Sequence, residues 1–93
     1  MDFKEVKSLV VPVLRRYGVL RAGLFGSVVR GESRRNSDVD IVVEFKGEKS
    51  LLDLAGLKID MEDKLGRKVD ILTYSSIHPL LRKKILSEQK VLL

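Results

Sequence analysis

The stretch Ser37-Asp38-Val39-Asp40-Ile41-Val42-Val43-Glu44-Phe45 carries the strongest structural signal in this sequence. Acidic and apolar residues alternate in its first half, and the second half is almost continuously apolar. This pattern predicts a strand over 38–45 whose first half presents a polar face. Residues two apart on a strand point to the same side, so Asp38 and Asp40 should project together. Their carboxylates are therefore candidate ligands for one or two cations.

Adjacent carboxylates favour a cation between them. Two like charges side by side repel each other and raise each other's proton affinity unless positive charge lies close by. Mg²⁺ prefers one or two carboxylates, retained waters and substrate phosphates. The chain has no cysteine and a single histidine, His78, which excludes a thiolate zinc site and disfavours a histidine-based centre. Two acids on a surface strand are common, however, and do not by themselves identify a site.

The segment before this stretch adds a candidate phosphate site. Val19 to Phe25 is a short apolar run that predicts a strand, and Gly26 closes it. Ser27 to Arg30 allows one or two helical turns, followed by a polar loop over 32–37. A glycine at such a turn lets backbone N–H groups approach an anion. The Ser27 hydroxyl and the Arg30 guanidinium are candidate ligands for the same phosphates.

The rest of the chain predicts three longer helices and further strands. Three-and-four spacing of apolar residues predicts a helix over 2–17, with Asp2 and Glu5 as a capping box and Pro12 as a cause of a kink or a later start. Further predictions are a helix after Ser50 that ends at Gly66, a strand over 67–73, and a last helix capped by Ser75 or Ser76 that contains Leu80, Leu81, Ile85 and Leu86. Residues 91–93 either add a short edge strand or simply pack against the domain.

The second long helix has a marked apolar side. Ser50 and Asp53 form a capping-box pattern at its start, and apolar residues follow along one side of the helix. They are Leu51, Leu54, Ala55, Met61 and Leu65. The order of elements predicts an α+β fold of two layers, in which helices cover a small mixed sheet of three to four strands.

Length and composition predict one soluble domain over 1–93. The chain is 44% hydrophobic and 33% charged, and no apolar run approaches the roughly 20 residues that span a bilayer. Its first five residues mix both charges, unlike a secretory signal, so we expect a cytoplasmic protein. The net charge of +5 favours anionic ligands, but the basic residues are scattered with few aromatics between them, which disfavours direct nucleic-acid binding.

Two motifs together resemble a known superfamily. Gly26-Ser27, ten intervening residues and Asp38-Val39-Asp40 resemble the signature of the DNA polymerase beta-like nucleotidyltransferases. The longer string Leu24-Phe25-Gly26-Ser27-Val28-Val29-Arg30-Gly31 is similar to the minimal nucleotidyltransferase (MNT) branch, and the resemblance covers nearly the whole chain. In these families a third carboxylate lies on a neighbouring strand, and Asp70 in Val69-Asp70-Ile71 occupies the matching place.

The resemblance implies the nucleotidyltransferase fold and a two-metal site. Asp38 and Asp40 would hold a magnesium ion bound to a nucleoside triphosphate, ATP by default, and Asp70 would join them at a second ion and favour deprotonation of the acceptor hydroxyl. Gly26, Ser27 and Arg30 would bind the nucleotide. If Asp70 is not the third acid, Glu44 and Asp60 are the next candidates.

The resemblance also implies a partner. MNT proteins recurrently neutralise a small helical ribonuclease toxin of the HEPN family, in characterised members by adding AMP to a tyrosine, so an antitoxin with adenylyltransferase activity is the leading hypothesis. An antitoxin that acts by binding alone is the alternative, and transfer to a small molecule or an RNA end is a third hypothesis. A free edge strand near the C-terminus could also support self-association. The residues do not specify the acceptor or the preferred nucleotide.

Overall fold

A computed structural model describes residues 2–26 and 38–93, and its helices and strands follow one another as the sequence predicts. The predicted short helix from Ser27 to Arg30 and the loop over 32–37 lie outside the described residues. The elements are α1 (Phe3–Arg16), β1 (Val19–Phe25), β2 (Val39–Phe45), α2 (Leu51–Leu65), β3 (Val69–Thr73), a 3₁₀ turn (Tyr74–Ser76), α3 (Pro79–Glu88) and β4 (Lys90–Val91). None of these helices is long and apolar enough to cross a membrane.

The four strands form one mixed sheet in the order β3-β2-β1-β4. β1 pairs with β2 and with β4 in antiparallel fashion, whereas β2 and β3 are parallel. The predicted mixed sheet is confirmed, and so is the edge strand near the C-terminus. α2 connects the parallel pair, since parallel neighbours require a long crossover.

Helices α1 and α2 cover one face of this sheet. Alternate strand residues point into the core between the sheet and the helices, and the residues between them point to the opposite face. The core cluster consists of Val6, Val10, Val13 and Leu14 of α1, Val19, Ala22 and Leu24 of β1, Val39, Ile41 and Val43 of β2, Leu57, Met61 and Leu65 of α2, Val69 of β3, and Leu92.

Helix α1 begins where the sequence predicts and continues through its proline. The Asp2 side chain accepts a hydrogen bond of 2.9 Å from the Glu5 N–H, which caps the first turn. A later helix start at Pro12 is therefore a wrong prediction. Pro12 lies on the exposed side, and its cost of roughly 3 kcal/mol is outweighed by four buried Val and Leu side chains, each worth about 1.5–3 kcal/mol.

Helix α2 has the predicted ends, and its apolar side is buried only in part. Ser50 and Asp53 form the capping box, and Gly66 ends the helix in the left-handed region at φ 65°. The buried residues are Leu57, Met61 and Leu65, whereas Leu51 is 85% exposed and Ala55 is exposed. The apolar side is therefore exposed or half-buried in the first turns, and the buried part of α2 begins at Leu57.

The last helix starts later than predicted. His78 caps it, with Nδ1 accepting a hydrogen bond of 3.1 Å from the Leu80 N–H, while Ser75 and Ser76 belong to the preceding 3₁₀ turn. Pro79 explains the shift, since its fixed φ and missing N–H suit the first position of a helix. No residue of α3 is buried, and Leu80 is 84% exposed.

The second face of the sheet is covered near β4. The Gln89 side chain lies over Gly23, where an added Cβ would be 2.8 Å from the Gln89 Cδ. The Tyr74 hydroxyl donates a hydrogen bond of 2.9 Å to Gln89 Oε1, and the Arg21 guanidinium stacks 4.5 Å from the centre of the Tyr74 ring. These contacts hold the C-terminal segment over one part of this face. Gly23, which Gln89 covers, lies two residues before Phe25, the β1 residue that pairs with Asp40.

A hydrogen bond between Tyr17 and Asp60 gives the fold a measurable pH response. The Tyr17 hydroxyl donates to Asp60 Oδ2 at 2.5 Å, joining the end of α1 to α2, and Arg16 Nη2 lies 3.1 Å from the same oxygen. The hydrogen bond from Tyr17 to the Asp60 carboxylate raises the pKa of Tyr17 above its usual 10.0, and burial and the negative charge of Asp60 act in the same direction.

We expect the phenolate of Tyr17 to form above pH 10 in the folded protein and at lower pH after Asp60→Asn. Because the fold raises this pKa, its contribution to stability is full below pH 10 and is lost as the pH rises through the raised pKa. Ultraviolet titration in a Tyr74→Phe background isolates Tyr17. Asp63→Asn, another acid on α2, is the control, and an equal titration midpoint in wild type and Asp60→Asn would contradict the assignment.

Candidate active site

Asp40 and Asp70 lie side by side on the face of the sheet opposite α1 and α2. The neighbours of Asp40 in sequence, Val39 and Ile41, are buried in the core, so the Asp40 side chain leaves the other face. β2 and β3 are in register there, with Asp40 paired to Asp70. Adjacent strands are about 4.8 Å apart, so the pairing brings two carboxylates together from separate parts of the chain.

Asp38 lies just outside this pairing. It immediately precedes β2 and is exposed, and the neighbouring Val39 N–H donates a hydrogen bond of 2.9 Å to the Lys68 carbonyl. Within residues 2–26 and 38–93, no three acidic or histidine side chains come close enough together to hold a metal ion. The structure thus joins Asp40 and Asp70, and leaves Asp38 beside them without completing a three-ligand group.

The chemistry of the two paired acids suits magnesium. Both offer only oxygen atoms, and Mg²⁺ is usually bound through one or two carboxylates with the remaining positions filled by water and substrate phosphates. Two neighbouring carboxylates match that pattern better than they match an all-protein cage.

Gly26 brings the turn after β1 against the Asp40 carboxylate. Its φ of +83° lies in the left-handed region, and a Cβ at this position would collide with Asp40 Oδ2 and lie 3.2 Å from Cγ. Only glycine satisfies both conditions. The predicted ligand Gly26 is therefore adjacent to Asp40, whereas the other two predicted nucleotide ligands, Ser27 and Arg30, lie outside the described residues.

Glu62 fixes the start of β3 and was not identified from the sequence. Its carboxylate accepts a hydrogen bond of 2.9 Å from the Val69 N–H, and its carbonyl accepts one of 2.8 Å from Gly66. β3 is an edge strand, so this N–H would otherwise lack a partner in the sheet. The bond holds the residue that precedes Asp70. No local sequence pattern signals it, because it depends on how the helix end and the strand fold back on each other.

The two aspartates border a cleft of about 440 Å³. The sheet contributes Phe25, Asp40, Asp70, Ile71 and Leu72 to its lining, and the first two turns of α2 contribute Leu51, Leu54, Ala55 and Lys58. Part of the apolar side of this helix therefore borders the cleft. The sequence signal that could have identified Lys58 is its helical spacing. It lies seven residues after Leu51, four after Leu54 and three after Ala55, so it shares their side of the helix.

The two alternative acids are engaged elsewhere. Glu44 lies at the other end of β2, where its Oε2 is 2.6 Å from Arg21 Nε. Asp60 bonds to Tyr17 and Arg16 on the helical side. Neither borders the cleft, so Asp70 is the acid that the fold brings next to Asp40.

Comparison with known proteins gives a consistent assignment. The sequence profile of the family described as nucleotidyltransferase domain matches residues 6–92. A Methanocaldococcus jannaschii protein, provisionally named a protein adenylyltransferase, is 52% identical over 88 residues, which cover 95% of each chain. The protein adenylyltransferase MntA of Thermococcus cleftensis is 37% identical over 92 residues, covering 95% of this chain and 93% of the relative.

Solved structures share the fold. One, provisionally described as a minimal nucleotidyltransferase, is 39% identical with a TM-score of 0.84, covering 97% of this chain and 95% of that one. A toxin-antitoxin complex with AMP-PNP contains a chain that is 25% identical with a TM-score of 0.82, covering 94% and 72%. The complex of a tri-AMPylated Shewanella oneidensis HEPN toxin with an MNT antitoxin matches at 20% identity and a TM-score of 0.75, covering 97% and 71%, a likeness of fold alone.

We expect Gly26→Ala to abolish magnesium-dependent ATP binding, whereas Gly47→Ala should retain it. Gly47 also has a positive φ, +76°, but a Cβ there would meet nothing within 4 Å. Both variants should lose about 1–2 kcal/mol of stability from the left-handed backbone, and only Gly26→Ala should displace the Asp40 carboxylate. Thermal unfolding and calorimetric titration of ATP measure the two effects. Equal ATP affinity in both variants would show that the contact between Gly26 and Asp40 does not serve nucleotide binding.

Proposed function

Because the chain belongs to the nucleotidyltransferase domain family, we propose that it is an adenylyltransferase that moves AMP from ATP to a hydroxyl group of a protein acceptor. The observation that carries this proposal is the pairing of Asp40 with Asp70 beside the glycine turn. Both named relatives are described as protein adenylyltransferases, and this chain spans nearly their full length.

The aspartates would act on the two reacting oxygens. Asp38 and Asp40 would hold the ion that accompanies the triphosphate, and all three aspartates would contribute to a second. Magnesium bound there would supply positive charge for the attacking and the leaving oxygen. Asp70 would favour loss of the proton from the acceptor hydroxyl. The new bond joins the acceptor oxygen to the α-phosphorus, the bond to the β-phosphate breaks, and pyrophosphate leaves.

The turn at Gly26 would hold the phosphates. Its left-handed backbone lies beside the Asp40 carboxylate, so a triphosphate at this turn would be next to the paired acids. The Ser27 hydroxyl and the Arg30 guanidinium would add donors on the residues that follow. Ser27→Ala should therefore weaken ATP use less than a change at Asp38, since backbone N–H groups remain.

The acceptor that we propose is a tyrosine of a HEPN toxin, which the chain would neutralise as its antitoxin. The support is the likeness to MntA from Thermococcus cleftensis and to the toxin-antitoxin complexes, one of which holds AMP-PNP and another an AMPylated HEPN toxin. Neutralisation by binding alone is the second candidate. Retention of Asp38, Asp40 and Asp70 together with Gly26 favours catalysis, because occlusion of a partner requires none of them.

Incubation with labelled ATP, magnesium and a HEPN toxin tests the function directly. Transfer of label to the toxin supports catalysis, and toxin inhibition without label supports binding alone. Asp38→Asn combined with Asp40→Asn should abolish transfer with little change in fold, because the exchange keeps side-chain size and removes the charge that holds the ions. Unchanged transfer in this double variant would exclude the proposed site.

We expect Asp70→Asn to reduce transfer to near background and to leave magnesium-dependent ATP binding largely in place. In this variant Asp38 and Asp40 still hold the ion that accompanies the triphosphate, whereas the acceptor hydroxyl loses its nearby carboxylate. Calorimetric titration of ATP beside the transfer assay measures both functions, with Asp63→Asn as a matched acid outside the cleft. An equal fall in binding and transfer would place Asp70 at the nucleotide ion, and no change in either would place the third carboxylate elsewhere.

A further inference from the structure

The backbone of β3 has an outer side that faces away from the sheet. The Lys68 carbonyl accepts a hydrogen bond of 2.9 Å from the Val39 N–H of β2, so the next residue, Val69, directs its own N–H and C=O away from β2. Residues of a paired strand alternate in this way. The outward backbone groups of β3 therefore belong to Val69, Ile71 and Thr73.

Side chains close the two ends of this outer side and leave its middle open. At one end the Glu62 carboxylate accepts the Val69 N–H, and at the other the Ser76 hydroxyl donates a hydrogen bond of 2.9 Å to the Thr73 carbonyl. Between them lie the Val69 carbonyl, both backbone groups of Ile71 and the Thr73 N–H. No residue in the described part of the chain bonds to these groups, so β3 presents two donors and two acceptors to a further strand.

Two cavities run along this open edge. The cleft of about 440 Å³ borders Asp70, Ile71 and Leu72, and a second cavity of about 820 Å³ borders Ile71, Leu72 and Thr73. Consecutive side chains of a strand lie on opposite faces of the sheet. Each cavity therefore reaches both faces of β3, and because β2 occupies the inner side, it does so around the free edge.

The first turns of α2 border the same space with apolar side chains that the core does not bury. Leu51, which is 85% exposed, and Leu54 border both cavities, and Ala55 borders the smaller one. A strand added beside β3 would lie about 4.8 Å further out, and every second side chain would face the layer of the helices. Such a strand would cover apolar surface that the chain alone leaves to water.

Charge favours an acidic partner over a second copy of this chain. Lys49 and Arg82 border the larger cavity and Lys58 the smaller one. None of these three cations belongs to an ion pair within residues 2–26 and 38–93. A second copy carries the same net charge of +5 and would be repelled, whereas an acidic segment would be attracted.

We propose that the outer edge of β3 binds an extended, acidic segment of the protein acceptor as a fifth strand. The identity of this partner rests on the proposed function. Backbone hydrogen bonds to an exposed sheet edge supply affinity, and alternating side chains supply specificity. Residues of the added strand opposite Asp70 and Leu72 would point to the face that carries Asp70. The added strand would thus present the acceptor hydroxyl beside that acid.

Amide hydrogen exchange measured by NMR tests the docking site without any catalysis. In the free protein the N–H groups of Ile71 and Thr73 should exchange rapidly, and the Leu72 N–H, which points to β2, should exchange slowly. Addition of a HEPN toxin without ATP should slow Ile71 and Thr73 to the range of Leu72. The Val69 N–H, already bonded to Glu62, should change little.

Two matched pairs of variants test the same site by calorimetric titration of the toxin. Ile71→Pro removes an outward N–H, which an edge strand tolerates, and Ile71→Ala removes the same side chain but keeps the N–H. Ile71→Pro should bind the toxin about two- to twelvefold more weakly than Ile71→Ala, the range for one lost hydrogen bond. Thermal unfolding verifies that each variant is folded.

The second pair places an acid on the first turn of α2. Leu51→Asp should weaken toxin binding about tenfold or more, because an apolar contact is lost and a negative charge is added. Leu52 is 84% exposed and borders neither cavity, so Leu52→Asp should bind like wild type. Both acids lie near the helix N-terminus, where their effects on stability are similar.

A toxin that does not bind, or that binds while Ile71 and Thr73 still exchange rapidly, overturns the proposal. Equal affinity of Leu51→Asp and Leu52→Asp overturns it as well, and slow exchange of the two amides in concentrated protein alone would assign the edge to a second copy. Protected amides without any transfer of label from ATP would instead contradict the transferase function and leave the docking site standing.

Discussion

The register between the parallel strands β2 and β3 is the constraint on which the candidate site depends. Side chains on a strand alternate between faces, so a slip of one residue would turn Asp70 into the core and Val69 outward. Burial of an unpaired carboxylate costs several kcal/mol, and exposure of Val69 would lose its burial as well. The same hydrophobic packing that stabilises the domain therefore aligns Asp70 with Asp40.

Two local contacts refine this alignment. On one side of Asp40, the left-handed backbone at Gly26 admits the carboxylate where any larger residue would collide with it. On the side of Asp70, the Glu62 carboxylate satisfies the outward N–H of Val69 and so holds the start of an edge strand that has only one neighbouring strand. The glycine beside Asp40 and the hydrogen bond to the residue before Asp70 thus help to position the two acids.

Much of the fold could be predicted from local signals, and the failures share a physical cause. β1 begins at Val19 and ends at Phe25 as predicted, because an apolar run closed by a glycine is a strong local pattern. The exposure of Leu51 depends on where along α2 packing against the core begins, and the start of α3 depends on whether a serine or Pro79 determines the first turn. The periodicity of apolar residues in the sequence predicts neither the exposure of Leu51 nor the start of α3. Asp40 was identified from the Asp38-Val39-Asp40 pattern, and Asp70 from the family resemblance. The positions of Lys58 and Glu62 could be recognised only from the way α2 packs against the sheet.

The crossover from β2 through α2 to β3 has a consequence for how this protein acquires its site. Asp40 and Asp70 are distant in sequence and meet only when the helix has folded back and the second strand has paired. Parallel pairing of this kind joins residues that are far apart in sequence, so the entropy of closing the intervening loop is lost before the contacts between the strands form. A chain released from the ribosome would bring its two acids together only with this closure. A nucleotide bound at Asp40 and Asp70 would stabilise the closed crossover, because a ligand that binds only the folded form opposes local unfolding and the proteolysis that follows it.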